Sequence, residues 1–249
     1  MVKKYRTTFL EKVIVRLDYS YPITQLTKTL PNQLKTIPRF PISEPKEFIG
    51  KELLVSKGVI KEETTEGTTW FFHSVDRQKT LAIDRDNFNI SYKTFDSFDV
   101  LKQDFLPIVE LLFGIYEDVQ GKRLGLRYIN EIKLDENNVL DWSEYLDGKL
   151  LTYLEFPEDP SLICRAFNDL ELNCGDFILK FQYGIRNSDY PARIQKKSFV
   201  LDYDAYSTGL QNLGDITQNL DKLNEAIHKV FEQSIRDGLR SKMGVENNG

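Results

Sequence analysis

Val13, Val15, Leu17 and Tyr19 alternate with Ile14, Arg16 and Asp18, and this period of two predicts a half-buried strand over Leu10–Tyr19. Leu26, Leu30, Leu34 and Ile37 then recur at helical spacing. Pro31 interrupts them without an N–H to donate, so the stripe is expected to kink or to split into two short helices. Five of the nine prolines fall between Pro22 and Pro45, and IPRFPISEP is expected to run as an extended, polyproline-like connector.

From Phe48 the pattern turns to β. FIGKELLVSKGVIKEE, TTWFFHSVD, KTLAIDRD and FNISYK predict consecutive antiparallel hairpins, with turn chemistry at Glu66-Gly67 and Asp86-Asn87. Phe98, Leu101, Phe105, Ile108, Val109, Leu112 and Phe113 keep helical spacing after a cap at Asp96, Ser97 or Asp99, with Pro107 bending the helix and Gly114 near its end. A second series follows: a strand from Leu124 (LGLRYINEIKL), a short helix around Trp142–Leu146, and three strands in LICRAFNDLEL, DFILKFQYGIRN and RIQKKSFVLDYDAY. It closes in one long helix over Ile216–Met243, capped by Thr217 and striped by Leu220, Leu223, Ile227, Val230, Phe231, Ile235 and Leu239.

Each half therefore reads strand, short helix, three or four antiparallel strands, long helix, with similar loop texture in SYKTFDSF and DYDAYSTGL. The expectation is an α+β chain of 1–249 folded as one compact unit from two pseudo-repeats, 9–116 and 117–243, each a curved antiparallel sheet gripped by its long helix. This order resembles the helix-grip and saddle-shaped folds, among them the TATA-binding-protein halves and the polyketide-cyclase-like ligand binders. A likeness of fold leaves function open.

Composition narrows the chemistry. The 249 residues include 33 basic and 38 acidic side chains, a formal net charge of −5, which argues against bulk attraction to nucleic acid and leaves only a local basic face for it. The first twenty residues hold no apolar run long enough for a signal core or a membrane span, so a cytoplasmic protein without membrane contact is expected. Cys164 and Cys174 read as two small buried hydrophobes. His73 and His228 form no HxH or HxxxH spacing, His73 reading as a strand residue facing solvent or a neighbour and His228 as part of a solvated helix flank. Phosphate-loop, dinucleotide and nucleophile-elbow motifs are absent from the sequence. No metal, cofactor or catalytic residue is assigned.

Three groups of residues remain as candidates. Asp202 and Asp204 lie two apart on a strand and share a face, which suits Mg²⁺ ligation or an ordinary polar strand face. Asp84 and Asp86 read as turn residues. Arg127 shares its strand face with Glu131 beside Gly125, so it can hold a phosphate or carboxylate, or pair across the sheet with Asp202 or Asp204. Arg123, Tyr128 and Asn130 complete a ligand-binding set with these residues. Trp70, Phe71, Phe72, Tyr92, Phe95 and Phe98 can line a pocket or fill a core.

In RLGLRYINEI, FVLDYDAY, the closing LNEAIHKVFEQSIRDGLRSKMG and the opening FLEKVIVRLDY, the chain resembles a sporadically distributed, functionally uncharacterised prokaryotic family of about 250-residue proteins. The resemblance implies kinship over the whole chain and supplies no catalytic residue. The patchy occurrence of that family resembles that of phage-defence and toxin–antitoxin genes.

The expected function is non-enzymatic recognition of a protein, nucleic-acid or small-molecule partner around the Arg127 strand, with a homodimer expected from an exposed first-strand edge. The alternatives are a Mg²⁺-dependent phosphoryl-transfer or nuclease-like enzyme using Asp202 and Asp204, and a carrier of hydrophobic ligands.

Overall fold

A computed structural model describes residues 5–35, 37–56 and 59–244, without the side chains of 51–56 and 59–65. The elements run β1 (Leu10–Tyr19), α1 (Asn32–Lys35), β2 (Ile42–Ser56), β3 (Val59–His73), β4 (Lys79–Ile83), β5 (Asn87–Tyr92), α2 (Phe98–Ile115) and β6 (Gly121–Leu134). Then come β7 (Ala166–Asn173), β8 (Ile178–Ile185), β9 (Lys197–Gln211), α3 (Leu213–Ser234) and α4 (Asp237–Met243). The protein is α+β, its nine strands joined in one antiparallel sheet in the order β2-β3-β4-β5-β1-β6-β9-β8-β7. No helix among the described residues is long and apolar enough to cross a membrane.

The chain divides into two compact units, one of Met1–Val13, Gly125–Ser207 and Asn219–Gly249, the other of Ile14–Leu124 and Thr208–Gln218. These bounds follow contacts, and they differ from the sequence halves 9–116 and 117–243.

In the unit built on Ile14–Leu124, β2 and β3 pair along their full fifteen residues, from Ile42 opposite His73 to Ser56 opposite Val59. Two expectations fail here. The proline-rich connector becomes strand from Ile42 onward. Pro45 is accommodated because β2 ends the sheet order, so a missing N–H on its open side costs no ladder bond. The turn expected at Glu66-Gly67 does not form, since Gly67 lies mid-strand opposite Phe48, whose ring occupies the space a Cβ would take, with Cζ 2.8 Å away. The link between the two strands, at 57–58, lies outside the described residues.

Asp84 does close the β4–β5 turn, accepting from Asp86 N and Asn87 N at 2.8 and 2.9 Å. Pro31 does split the early stripe, into a 3-10 turn over Thr24–Thr27 and α1. Ser97 caps α2, accepting from Val100 N at 3.2 Å. Leu101, Phe105, Val109 and Leu112 of α2 are fully buried with Leu81, Phe88 and Ile90, and the Phe88 and Phe105 rings stack at 4.9 Å. Rings fill this layer, as in a core.

In the other unit, Leu126, Tyr128, Asn130 and Ile132 of β6 are buried together with Phe199, Leu201, Tyr203 and Ala205 of β9 and with Leu223 and Ile227 of α3. Phe181 and Tyr203 stack at 4.6 Å in the same layer. The terminal helix is not continuous: Ile235 bridges Leu146 in an antiparallel pair and Arg236 N donates to Tyr145 O, so this pairing ends α3 before α4 begins. Trp142–Leu146, expected as a short helix, is a turn in which Tyr145 N and Leu146 N both donate to Trp142 O.

Thr217 is not a cap but lies inside α3, bonded back to Leu213 O. The start is fixed by Asn212 and Asp215, each side chain accepting from the other's backbone N–H at 3.0 Å. DYDAYSTGL is strand rather than loop, because β9 continues to Gln211. β1 is not an exposed edge either: Tyr19 N donates to Asp86 O on one side and Ser20 N to Gln120 O on the other.

Candidate functional site

Alternation along β6 separates the candidate residues before any contact is considered. Even positions enter the core, so Tyr128 and Asn130 are structural: the Tyr128 hydroxyl donates to Asn224 Oδ1 at 2.9 Å and Asn130 Nδ2 to Leu201 O at 3.4 Å. Burial raises the Tyr128 phenol far above its ordinary range. Arg127 and Glu131 occupy the opposite face.

There Arg127 meets Asp202 in a bidentate pair, Nε to Oδ1 at 2.8 Å and Nη2 to Oδ2 at 2.7 Å, and Arg186 Nη2 reaches the same Oδ2 at 3.3 Å. The Asp202 side chain is 1% exposed, against 36% for Arg127 and 49% for Arg186. Of the two readings open for Arg127, cross-sheet pairing is the one realised. Hydrogen bonding to Asp202 pushes the Arg127 guanidinium further above its usual range, with Asp204 adding charge at longer reach. Arg186 also lies over the Phe167 ring, 4.6 Å from its centroid, so its plane is fixed from two sides.

Glu131 accepts from Ser198 Oγ at 2.9 Å and pairs with Lys133 at 2.7 Å. Burial works to raise its carboxyl, but these two bonds outweigh it and hold the group below the usual carboxylate range. Lys197, almost fully buried, pairs with Glu136 at 2.7 Å and lies 5.2 Å from the ring centroids of Trp142 and Tyr145. Tyr145 donates to the same carboxylate at 2.5 Å, and Lys197 first and Tyr145 second keep Glu136 below its ordinary value.

These groups border an open pocket of about 680 Å³ whose wall includes Glu131, Lys133, Glu136, Arg186, Gln195 and Lys196. Arg127, Asp202 and Asp204 do not line it. Asp202 acts from behind, as the buried anchor of a guanidinium that does. Arg123 is elsewhere, half-buried beside a groove formed with Arg16, Asp18, Tyr21, Lys122 and Leu210. The seven residues chosen from sequence thus fall into a core pair, a paired face and a separate groove.

Arg186 and Glu136 were missed as site features, as was the packing of Lys197 against the Trp142 and Tyr145 rings. Arg186 carries a usable signal, because Gln182, Gly184 and Arg186 share a parity and Gln182 pairs with Asp202, but that register is visible only after folding. Among the described residues, no three His, Cys, Asp or Glu side chains gather as a metal-binding group. Cys164 is half-buried and Cys174 exposed, both as free thiols, so the reading as two buried hydrophobes fails at Cys174, which sits on the β7–β8 hairpin. His73 accepts or donates at Thr80 Oγ1, 3.0 Å away, while His228 is half-buried and packs edge-on against Tyr128.

Compared with known proteins, the chain matches no family model and no curated protein.

Proposed function

We propose that this protein is a non-enzymatic recognition protein whose pocket beside Arg186 receives a polar or acidic group from a protein partner. One observation carries the reading: buried Asp202 holds two arginines at fixed orientation, one of them on the pocket wall. A guanidinium oriented in advance loses little freedom on meeting a carboxylate and offers parallel donors to it.

On the same face Arg127, Lys133, Lys180 and Arg186 interleave with Glu131, Asp169, Glu171, Asp202 and Asp204. Charges of alternating sign favour a protein surface over a phosphate backbone, which calls for a continuous basic track. The enzyme reading would require Asp202 to release both guanidinium groups before it could hold Mg²⁺. The carrier reading would require space beneath α2, where Phe88 and Phe105 stack.

We further propose that the halves 9–116 and 117–243 are pseudo-repeats of a saddle-shaped, TATA-binding-protein-like design. In each half the first strand lies beside the last, β1 beside β5 and β6 beside β9, and a long helix follows the last strand. The phage-defence or toxin–antitoxin setting rests on the family resemblance alone.

The test is affinity capture from the host with mass spectrometry and nucleic-acid extraction, run on the wild type, Arg186→Met and the remote control Lys222→Met. A protein enriched by wild type and control and lost with Arg186→Met is the expected result. Retention by Arg186→Met, or nucleic acid enriched in place of protein, overturns the reading.

A further inference from the structure

Strand β7 ends the sheet order, paired with β8 on one side and, among the described residues, with no strand on the other. Cys174 N donates to Phe177 O at 3.0 Å, which marks 174 and 177 as a hydrogen-bonded pair at the hairpin. Hydrogen-bonded pairs alternate along an antiparallel ladder, so 172, 170, 168 and 166 bond β8. The backbone N–H and C=O groups of Phe167, Asp169, Glu171 and Asn173 therefore point out of the sheet.

A free edge is normally guarded. The opposite terminal strand, β2, carries Pro45, Lys46 and Lys51, whereas β7 reads AFNDLELN with neither proline nor lysine. Its side chains form two lines. Asp169 and Glu171 share one face with Lys180, which pairs with them at 2.8 and 3.2 Å and leaves one net negative charge on the three groups. Leu170, 46% exposed, and Leu172 share the other face.

We propose that the β7 edge is a docking site for an extended peptide segment that alternates basic and apolar residues and adds to the sheet as a further strand. An incoming strand bonded to 167, 169, 171 and 173 sets its alternate side chains opposite Asp169 and Glu171, where Lys or Arg is favoured. Its intervening side chains cover Leu170 and Leu172. A second copy is a poorer occupant. Antiparallel self-pairing about Leu170 sets Asp169 of each copy opposite Glu171 of the other, like charges directly across the ladder. This edge adjoins the Arg186 pocket at Phe167, over whose ring Arg186 lies, and the proposal stands or falls without that pocket.

The experiment is fluorescence anisotropy with a labelled nine-residue peptide alternating Lys with Val and Thr, and with the same peptide carrying Glu for Lys. Wild type is expected to bind the basic peptide saturably and the acidic one at least about tenfold more weakly, two charge pairs being reversed. Glu171→Gln is expected to weaken binding a few-fold. Glu171→Pro, which also removes an outward N–H that β8 does not use, is expected to abolish it while the thermal melt stays close to that of Glu171→Gln. Hydrogen exchange should show new protection at Asp169 and Glu171 in the complex. Equal binding of both peptides, no saturable binding, or equal binding by Glu171→Pro and Glu171→Gln overturns the proposal. So does a dimer in solution that Glu171→Pro dissociates, since a second copy would then cover the edge. Glu171→Pro should still capture the partner that Arg186→Met loses, which separates this site from the pocket.

Discussion

Replacing Asp202 by Ala should destabilise the protein by about 2–3 kcal/mol. Its carboxylate is 1% exposed and accepts two short bonds from Arg127 and a longer one from Arg186. Removing one partner of an ion pair buried on both sides costs about 3–5 kcal/mol, because the remaining charge is stranded away from water. Here the stranded groups are partly wet, Arg127 at 36% and Arg186 at 49% exposure, and recover some hydration, so the cost falls below that range. It stays above the ~0–1 kcal/mol of a surface pair, because the bidentate geometry is held on two neighbouring strands. Urea denaturation followed by tryptophan fluorescence and circular dichroism gives the change in midpoint at constant slope. A cycle of Asp202→Ala, Arg127→Met and the double variant should show a coupling of about 1–2 kcal/mol. A loss under about 0.5 kcal/mol, or additive single effects, would refute the view that Asp202 serves as the anchor of the arginines.

Three further outcomes are expected. Asp104 is a fully buried carboxylate on the core side of α2, bonded to Arg39 at 2.8 Å, Lys79 at 3.2 Å and the Tyr92 hydroxyl at 3.3 Å, so Asp104→Ala should cost about 2–4 kcal/mol in chemical denaturation. Gly184 has φ +139°, and a Cβ there would stand 2.2 Å from Ala166 O; Gly184→Ala should therefore loosen β7 from β8, read as faster hydrogen exchange across 166–173, at a cost of about 3 kcal/mol or more. Burial holds His228 below the ordinary imidazole range, Glu232 opposing it. Below about pH 6.5 the unfolded chain then takes up a proton that the folded chain refuses, so stability falls as pH falls toward the depressed folded value, by up to about 1.4 kcal/mol per pH unit. His228→Gln should remove that part of the slope, measured as the difference between variant and wild-type stability from pH 7.5 to 5.

Some of the site was legible from the chain alone. Parity on a strand is local, so Arg127 with Glu131 and Asp202 with Asp204 were placed on common faces by spacing, and Arg127 pairing across the sheet was one of two open readings. Tyr128 and Asn130 do not share the Arg127 face, because the same parity sends them into the core. Arg123 shares their strand but borders a different groove. Arg186 was missed because its proximity to Asp202 depends on the β8–β9 register, a contact between residues 16 apart in sequence.

What the sequence determined by itself is what backbone sterics and local periodicity control: β1, the stripe of α2, the split at Pro31 and the α+β class. The tertiary structure decided what depends on long-range neighbours. Pro45 enters a strand because that strand has an open side, Gly67 stays within one because Phe48 covers it, and α3 stops at Ser234 because Ile235 pairs with Leu146 instead of continuing the helix. It also decided the surroundings of the acidic strand residue: two arginines donate to the buried Asp202 carboxylate, an arrangement that burial and register make and spacing alone cannot.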